Sequence, residues 1–499
     1  MKMAQIKYLG YILLCLLMQG CIPGLSEDGN LKERVELPRK FPTVDSTETL
    51  TSKNKKGGGG ETAYQAWAEF FIDGKLKKLI SIALQNNQEL KILEQEVQIA
   101  HNEIMARKGE YLPKVWGGAS YEIEKVGEFT SQGASDATTQ YEPGKFVPKV
   151  LHNHRAGLFT AWEIDVWKKL RNATRSAYYR YLATIDVQKF MVTNLVAEVA
   201  NTYYELKALD TQLEIVQRYI KNLQRAQQVV EAQKSAARTT SLAVKRFKAE
   251  VLKNQARIYK IKQSVIAHEN KINFLVGRFP QAVVRSKISL TDLTPKHFST
   301  GVPFQLLDNR PDVQKAYHDL EASHIDVKVA KASFFPSLGI DGGVGYEAFD
   351  ASHFIITPES VFYNLAARLA VPILNRNAIK AAYFSANNKQ IQAIYSYNLV
   401  ILSAFKEIAD QLAAIANLNK IYRLRQRQVS ALTESVDISN MLFRAARVDY
   451  LESLLTQRDL LEAQIELVEI KKERLTSYVM LYKSLGGGWR ANPQVKDKG

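Results

Sequence analysis

Two stretches of this chain contain neither glycine nor proline, and their lengths constrain the fold more than any motif does. Leu158 through Val276 lacks both for 119 residues and Ile373 through Leu485 for 113, although the chain holds 26 Gly and 14 Pro among 499 residues. These two residue types are the usual helix interrupters, so each run predicts very long helices. One unbroken helix of 119 residues would extend roughly 180 Å, so each run is expected to fold back on itself. Helices on that scale exclude an ordinary α/β enzyme, whose helices run about 8–20 residues. A hydrophobic content of 46% also excludes a disordered or collagen-like chain.

The sequence repeats. At a shift of 223 positions, residues 84–113 align with 307–336 without a gap, placing Leu84 on Leu307, Asn86 on Asn309, His101 on His324, Lys108 on Lys331 and Pro113 on Pro336. At a shift of 209, Ala236-Ala-Arg-Thr-Thr-Ser-Leu242 aligns with Ala445-Ala-Arg-Val-Asp-Tyr-Leu451. A duplication of this period makes each copy one structural unit, here residues 65–290 and 291–490.

Within each copy a helical pattern ends at Leu112-Pro113 or Phe335-Pro336, where proline stops the helix. Strands are predicted over 114–126, 156–165, 337–349 and 361–373. In the second copy Leu338, Ile340, Gly342, Val344 and Tyr346 share one face, while Ser337, Asp341 and Glu347 share the other. Val361, Tyr363, Leu365, Ala367, Leu369 and Val371 alternate with Asn364 and Arg368; Val115, Ala119, Tyr121 and Ile123 oppose Ser120, Glu122 and Glu124. Strands of about ten residues with one apolar and one polar or small face read as membrane β-strands. A soluble hairpin packed on helices would give the same alternation.

The repeated Ala-Ala-Arg blocks mark the fold-backs, with hairpin tips over 236–242 and 445–451. Thr239, Thr240 and Ser241 are poor in helix interiors and good at caps, and Asp449 with Glu452 resembles a capping box. The returning helices carry apolar seams, Phe247-Val251-Ile258-Ile261-Val265-Ile272-Leu275 and Leu451-Leu454-Leu461-Ile465-Val468-Leu475-Val479. That spacing predicts antiparallel coiled-coil hairpins with arms of about 50–70 residues. Lys234, Arg238, Lys245, Arg246, Arg444 and Arg447 cluster at the tips, either docking an acidic partner or standing in solvent.

Residues 1–20 read as a signal peptide: Lys2 and Lys7 precede the apolar run Leu9–Met18, too short to span a bilayer. Leu17-Met-Gln-Gly-Cys21 resembles a bacterial lipobox, which makes Cys21 the expected lipidated N-terminus and 21–64 a tether closing in Gly57–Gly60. Cleavage before Cys21 also removes Cys15, so no internal disulfide is available. Loss of Lys2 and Lys7 lowers the formal charge from +16 to +14. An exported protein does not meet cytoplasmic nucleic acid, so the basic balance does not point there. No later stretch reaches 18 consecutive apolar residues, so any membrane span must be β.

A search for chemistry returns no catalytic site and implies no cofactor. The eight His form no His-Glu-x-x-His motif, and His152-Asn-His154 is the only close pair, expected in a loop beside a strand. His268 falls on a core position of the seam and is expected as a buried, satisfied histidine. Gly339-Ile-Asp-Gly-Gly-Val-Gly345 lacks the Gly-Lys-Ser/Thr of a phosphate loop, and its glycines fit an alternating strand.

Phe70–Ile80, Asn86–Leu90, Trp162-Glu-Ile-Asp-Val-Trp167, Leu307-Asp-Asn-Arg-Pro-Asp-Val313, Phe335-Pro336, Val371-Pro-Ile-Leu374 and Leu485-Gly-Gly-Gly-Trp489 resemble the TolC-like outer membrane factor family, in its efflux lipoprotein branch. The resemblance covers roughly 65–490. It implies a mainly α fold with membrane β, in which a homotrimer forms one twelve-stranded barrel in outer membrane lipid and an α-helical periplasmic tunnel. It further implies a periplasmic adaptor and an inner membrane transporter as partners, and passive conduction rather than enzymatic activity. Carried over by position, the periplasmic gate falls on Leu451, Glu452 and Leu455, with Leu455 where the branch carries an acidic ring. The adaptor-contacting tips fall on Ala237, Arg238, Thr239, Thr240, Ser241, Ala446, Arg447, Val448 and Asp449; Ala237 and Ala446 stand where the branch has glycine. Ile22 after Cys21 implies sorting to the outer membrane.

Two other readings compete. A type I protein secretion channel shares the fold, but the lipobox and Leu485–Trp489 favour efflux. A structural coiled-coil lipoprotein without a pore would need no strands.

Overall fold

The computed structural model describes residues 22–25, 38, 66–293, 309–374, 376–445 and 447–490. Cys21, Ala446 and most of the tether lie outside them. The helices are α1 (Trp67–Phe70), α2 (Gly74–Asn86), α3 (Gln88–Tyr111), α4 (Ser131–Asp136), α5 (Lys169–Ser235), α6 (Ser241–Leu275), α7 (Pro311–Ala332), α8 (Asn377–Arg444) and α9 (Tyr450–Ser484). The strands are β1 (Lys114–Glu124), β2 (Gln140–Glu142), β3 (Lys145–Phe146), β4 (Leu151–Ile164), β5 (Ser337–Ala348) and β6 (Val361–Ala370). Among the described residues no helix is long and apolar enough to cross a membrane.

The chain divides into two compact units. The first holds 98–181 and 318–394 and is built on a four-stranded antiparallel sheet ordered β1-β4-β5-β6. Its register puts Val115, Thr160, Gly342 and Leu365 in one cross-strand row, and Tyr121, His154 and Ala348 in another. Every second residue therefore shares a face. One face carries Val115, Tyr121, Ile123, Leu158, Val344, Tyr363, Leu365 and Leu369, all exposed. β1 and β6 each leave one edge unpaired among the described strands.

The strand expected over 156–165 begins five residues earlier, at Leu151, because the register with β1 continues to the Glu124–Leu151 pair. The other three end short of expectation, at Glu124, Ala348 and Ala370. The first Gly/Pro-free run starts inside β4, at Leu158. His152 and His154 lie in that strand, not in a loop. His152 Nδ1 is 2.7 Å from the Tyr121 hydroxyl. The Trp167 indole donates to the Pro336 carbonyl at 2.7 Å and stacks on Phe335 at 4.7 Å, tying the exit of β4 to the entry of β5.

The second unit spans 66–97, 182–293, 309–317 and 395–490 among the described residues. Its core packs Phe71, Leu76, Ile80, Leu195, Tyr203, Leu206, Ile272, Ile408 and Tyr482, all at most 2% exposed. α5 and α8 have 67 and 68 residues, but the returning α6 and α9 have only 35 each. The expected 50–70-residue return arm is absent because each returning helix ends at a glycine and another helix begins beside it. Asn87 marks that junction: its side-chain amide donates to Leu275 O at 3.0 Å, and its Oδ1 accepts from Leu90 N at 3.0 Å at the start of α3. The second copy uses Arg310 instead, which donates to Ser484 O at 2.9 Å and pairs with Asp312 and Glu407.

Most residues of the two seams are buried as expected, with Ile258, Val265 and Leu451 half-buried. His268 is half-buried rather than buried; its Nδ1 lies 2.8 Å from Ser264 O of its own helix, so it is satisfied locally. Asp73 ties three segments together. Its Oδ1 accepts from the Lys75 amide at 2.8 Å, capping α2, and its Oδ2 accepts from the Tyr203 and Ser286 hydroxyls at 2.8 and 2.5 Å. Burial alone would push this carboxyl up, but the hydrogen bonds from Ser286, Tyr203 and the two α2 amides outweigh it and hold the pKa below its ordinary value.

Candidate gate, hairpin tips and sheet face

Both fold-backs close their first helix with a backbone bond spanning six residues. At the first, Arg238 N donates to Gln233 O at 2.8 Å and Ala237 N to Lys234 O at 2.9 Å, the Schellman pattern. That pattern places its penultimate residue in the left-handed region, and Ala237 sits there with φ 55°. At the second, Arg447 N donates to Leu442 O at 2.9 Å, the equivalent long bond. Ala446, its counterpart to Ala237, lies outside the described residues.

Ala237, Arg238, Thr240, Ser241, Arg447 and Asp449 are exposed, while Thr239 and Val448 are half-buried. Thr240 and Asp449 occupy the N-cap positions of α6 and α9 with extended backbone, yet neither side chain accepts a cap hydrogen bond. The capping box read from Asp449 and Glu452 is therefore not formed. α9 is anchored to α8 by a different group: Asn440 Oδ1 accepts from Ser453 Oγ and Gln457 Nε2, both at 3.2 Å. Ser453 and Gln457 are 3% and 8% exposed. Nothing in the helical periodicity separated this polar clamp from a solvated face, because three uncharged residues carry no pattern of their own.

Leu451, Glu452 and Leu455 lie in the first two turns of α9. At 100° per residue the order around the helix is Leu454, Leu451, Leu455, Glu452. Leu454 is buried in the hairpin core, Leu451 and Leu455 are half-buried, and Glu452 is exposed. The candidate gate residues thus form a stripe graded from core to solvent. Two apolar side chains are held partly out of the protomer at the very end of a helix.

The polar face of the sheet carries a feature the alternation did not reveal. Trp116, Phe159 and Phe362 stack in a row with neighbouring centroids 6.1 Å apart, and the Arg155 guanidinium lies 4.3 Å over Phe362 and 5.3 Å over Phe159. Gly343 in the Gly339–Gly345 run lets the Phe159 ring fit against the sheet. A β-carbon on Gly343 would stand 2.9 Å from the Phe159 ring. Among the described residues, no group of three or more His, Cys, Asp or Glu could hold a metal ion.

A family profile described as "Outer membrane efflux protein" matches residues 79–278 and 302–487. The cation efflux system protein CusC of Escherichia coli is 27% identical over 454 residues, covering 91% of this chain and 93% of its own. A probable outer membrane lipoprotein of Salmonella typhimurium, SilC, is 26% identical, covering 85% and 88%. Among solved structures, the open state of the Neisseria gonorrhoeae MtrE outer membrane channel superposes with a TM-score of 0.79 at 21% identity, covering 95% of this chain and 99% of MtrE.

Proposed function

The chain belongs to the outer membrane efflux protein family, and from that premise we propose that it is the outer membrane channel of a tripartite efflux pump. It conducts small molecules passively to the exterior from a periplasmic adaptor and an inner membrane transporter. It is a conduit and does no covalent chemistry. Cys21 carries the lipid that anchors the tether to the outer membrane.

One observation supports a pore above all: a four-stranded sheet with an exposed apolar face and two open edges. In lipid each unpaired backbone group costs several kcal/mol, so such a sheet must close with others. We take three copies to close a twelve-stranded barrel, with the apolar residues toward lipid and Trp116, Phe159, Arg155 and Phe362 toward the lumen. The hairpins then line a periplasmic tunnel. Leu451 and Leu455 constrict its end, beside Glu452, until the adaptor docks on the tip residues 237–241 and 446–449 and the hairpins separate. With Leu455 in place of a carboxylate, the constriction is apolar and lacks a ring of acids there. A coiled-coil rod would have no use for the sheet.

Purified protein in planar bilayers tests the reading. Discrete channels are expected, opened further by adaptor or by weakened tip packing, together with a trimeric mass in solution. If wild-type, tip-variant and adaptor-bound protein all leave the bilayer silent, the pore reading is wrong.

A further inference from the structure

A cavity of about 590 Å³ opens between the two hairpins, its walls drawn from α5, α6, α8 and α9. That volume suits a small organic molecule. Tyr219, Phe247, Leu460 and Val468 contribute apolar surface. Among the described residues the charged groups of the wall are Arg218, Arg225 and Lys471, with no carboxylate. Arg218 and Arg225 are exposed, but Lys471 is only 3% exposed.

Lys471 is an unusual ammonium. Among the described residues it has no hydrogen bond or ion pair, and its Nζ rests 5.6 Å over the Tyr422 ring. The Arg474 guanidinium sits over the same ring at 5.3 Å, and its buried Nε has no partner either. Burial and then Arg474 push the Lys471 pKa down to about 8, with Asp292 opposing them. A buried cation without a counter-charge is costly unless something neutralises it. Further along the same cavity the Tyr219 hydroxyl, 7% exposed, also lacks a partner. Burial raises its pKa, so it remains a donor at neutral pH. Gln457 Oε1, nearer the tip, is an unmet acceptor, so among the described residues the wall joins one unmet acceptor to the Tyr219 hydroxyl and a cation, and every charged group it carries is positive.

We propose that this cavity binds an amphipathic organic anion, its carboxylate on Lys471 and its apolar body against Tyr422, Leu460 and Val468. The ligand supplies the charge that the fold withholds. A hydrogen bond to a charged group contributes about 1.5–3 kcal/mol, so loss of the ammonium should weaken binding roughly tenfold to a hundredfold.

Calorimetric titration of the full-length protein in lipid nanodiscs with 4-phenylbutyrate, 4-phenylbutyramide and inorganic phosphate tests this. The carboxylate should saturate at one site per chain. The neutral amide and bare phosphate should bind at least about tenfold more weakly, since each lacks half of the recognition. Affinity for the carboxylate should fall as pH rises from 7 to 9 and Lys471 loses its proton. Lys471→Met should bind roughly tenfold to a hundredfold more weakly, and so should Leu460→Trp, which fills the cavity and leaves every cation in place. An unchanged melting temperature in either variant separates loss of the site from loss of the fold. Equal binding of acid and amide, or undiminished binding by Lys471→Met, overturns the proposal. So does a wild type that ignores all three probes while Lys471→Met weakens adaptor association, because the counter-charge then belongs to a protein side chain. None of these readouts needs a conducting pore.

Discussion

A β-carbon on Gly486 would stand 2.7 Å from the carbonyl carbon of Asn309, and closer still to its oxygen. Gly277 meets Asn86 in the same way in the first copy, with φ 68° against 84° at Gly486. Both glycines cap a returning helix and seat it against the segment that begins the next one. Gly486→Ala therefore meets a left-handed backbone and a backbone clash together, and should cost about 2–4 kcal/mol. Gly109 is an exposed glycine inside α3 with open space around its α-carbon. Gly109→Ala should be neutral or stabilising by about 0.5–1 kcal/mol. Solubilised Gly486→Ala should melt below wild type and Gly109→Ala at or above it, and a Gly486→Ala melt matching wild type would remove the junction from the stability argument.

At the first tip the same backbone cap is filled by Ala237, at φ 55°. It is exposed, so only the torsional penalty of an L-residue remains. Ala237→Gly should relieve about 1 kcal/mol of local strain, partly offset by the greater freedom of glycine in the unfolded chain. Hydrogen exchange at the Ala237 and Arg238 amides should slow in the variant. Faster exchange there would mean that the cap is not strained.

Asp73 links folding to pH. Its folded pKa lies below the ordinary 3.8, so its contribution to stability is present above that pH and is lost as pH falls through the folded value. Asp73→Asn should lower stability at neutral pH by about 1–3 kcal/mol, since the cap and the Tyr203 and Ser286 hydroxyls lose a charged acceptor. The gap between variant and wild type should close only in strong acid. A gap that stays constant from pH 7 down to pH 2 would show that the charge at Asp73 is irrelevant.

Leu451 and Leu455 are half-buried at the free end of α9, although a buried Leu454 sits beside them. Replacing both with Ser removes apolar contacts outside the hairpin core, so the protomer should keep its melting temperature within a degree or two. Bilayer leak, by contrast, should rise severalfold. Unchanged conductance would remove these two leucines from the constriction.

Much of this architecture is readable from residue order. Leucine and isoleucine at seam spacing reached the cores of both hairpins, and alternation over Leu338–Tyr346 separated the two faces of β5 before any register was known. Proline at 113 and 336 ended helices because it cannot continue them. The length of the returning arms is not legible because an end-to-end helix junction leaves only a glycine and an asparagine or arginine in the sequence. Such residues signal a stop and do not say what lies beyond it. Asp449 was legible as a helix start but not as a cap whose side chain accepts no bond.

The sequence by itself determined periodicity, duplication and the helix stops, because these depend on neighbours a few positions apart. Only the tertiary structure decided that Asn86 meets Gly277, that Arg155 lies over Phe362, and that Lys471 is buried with no ion pair among the described residues. Each of these depends on residues 100 or more positions apart, or on what is missing around a charge, and neither leaves a local pattern. The two Gly/Pro-free runs said that the helices are long. Packing decided where they turn, what they rest on, and which of their charges is buried.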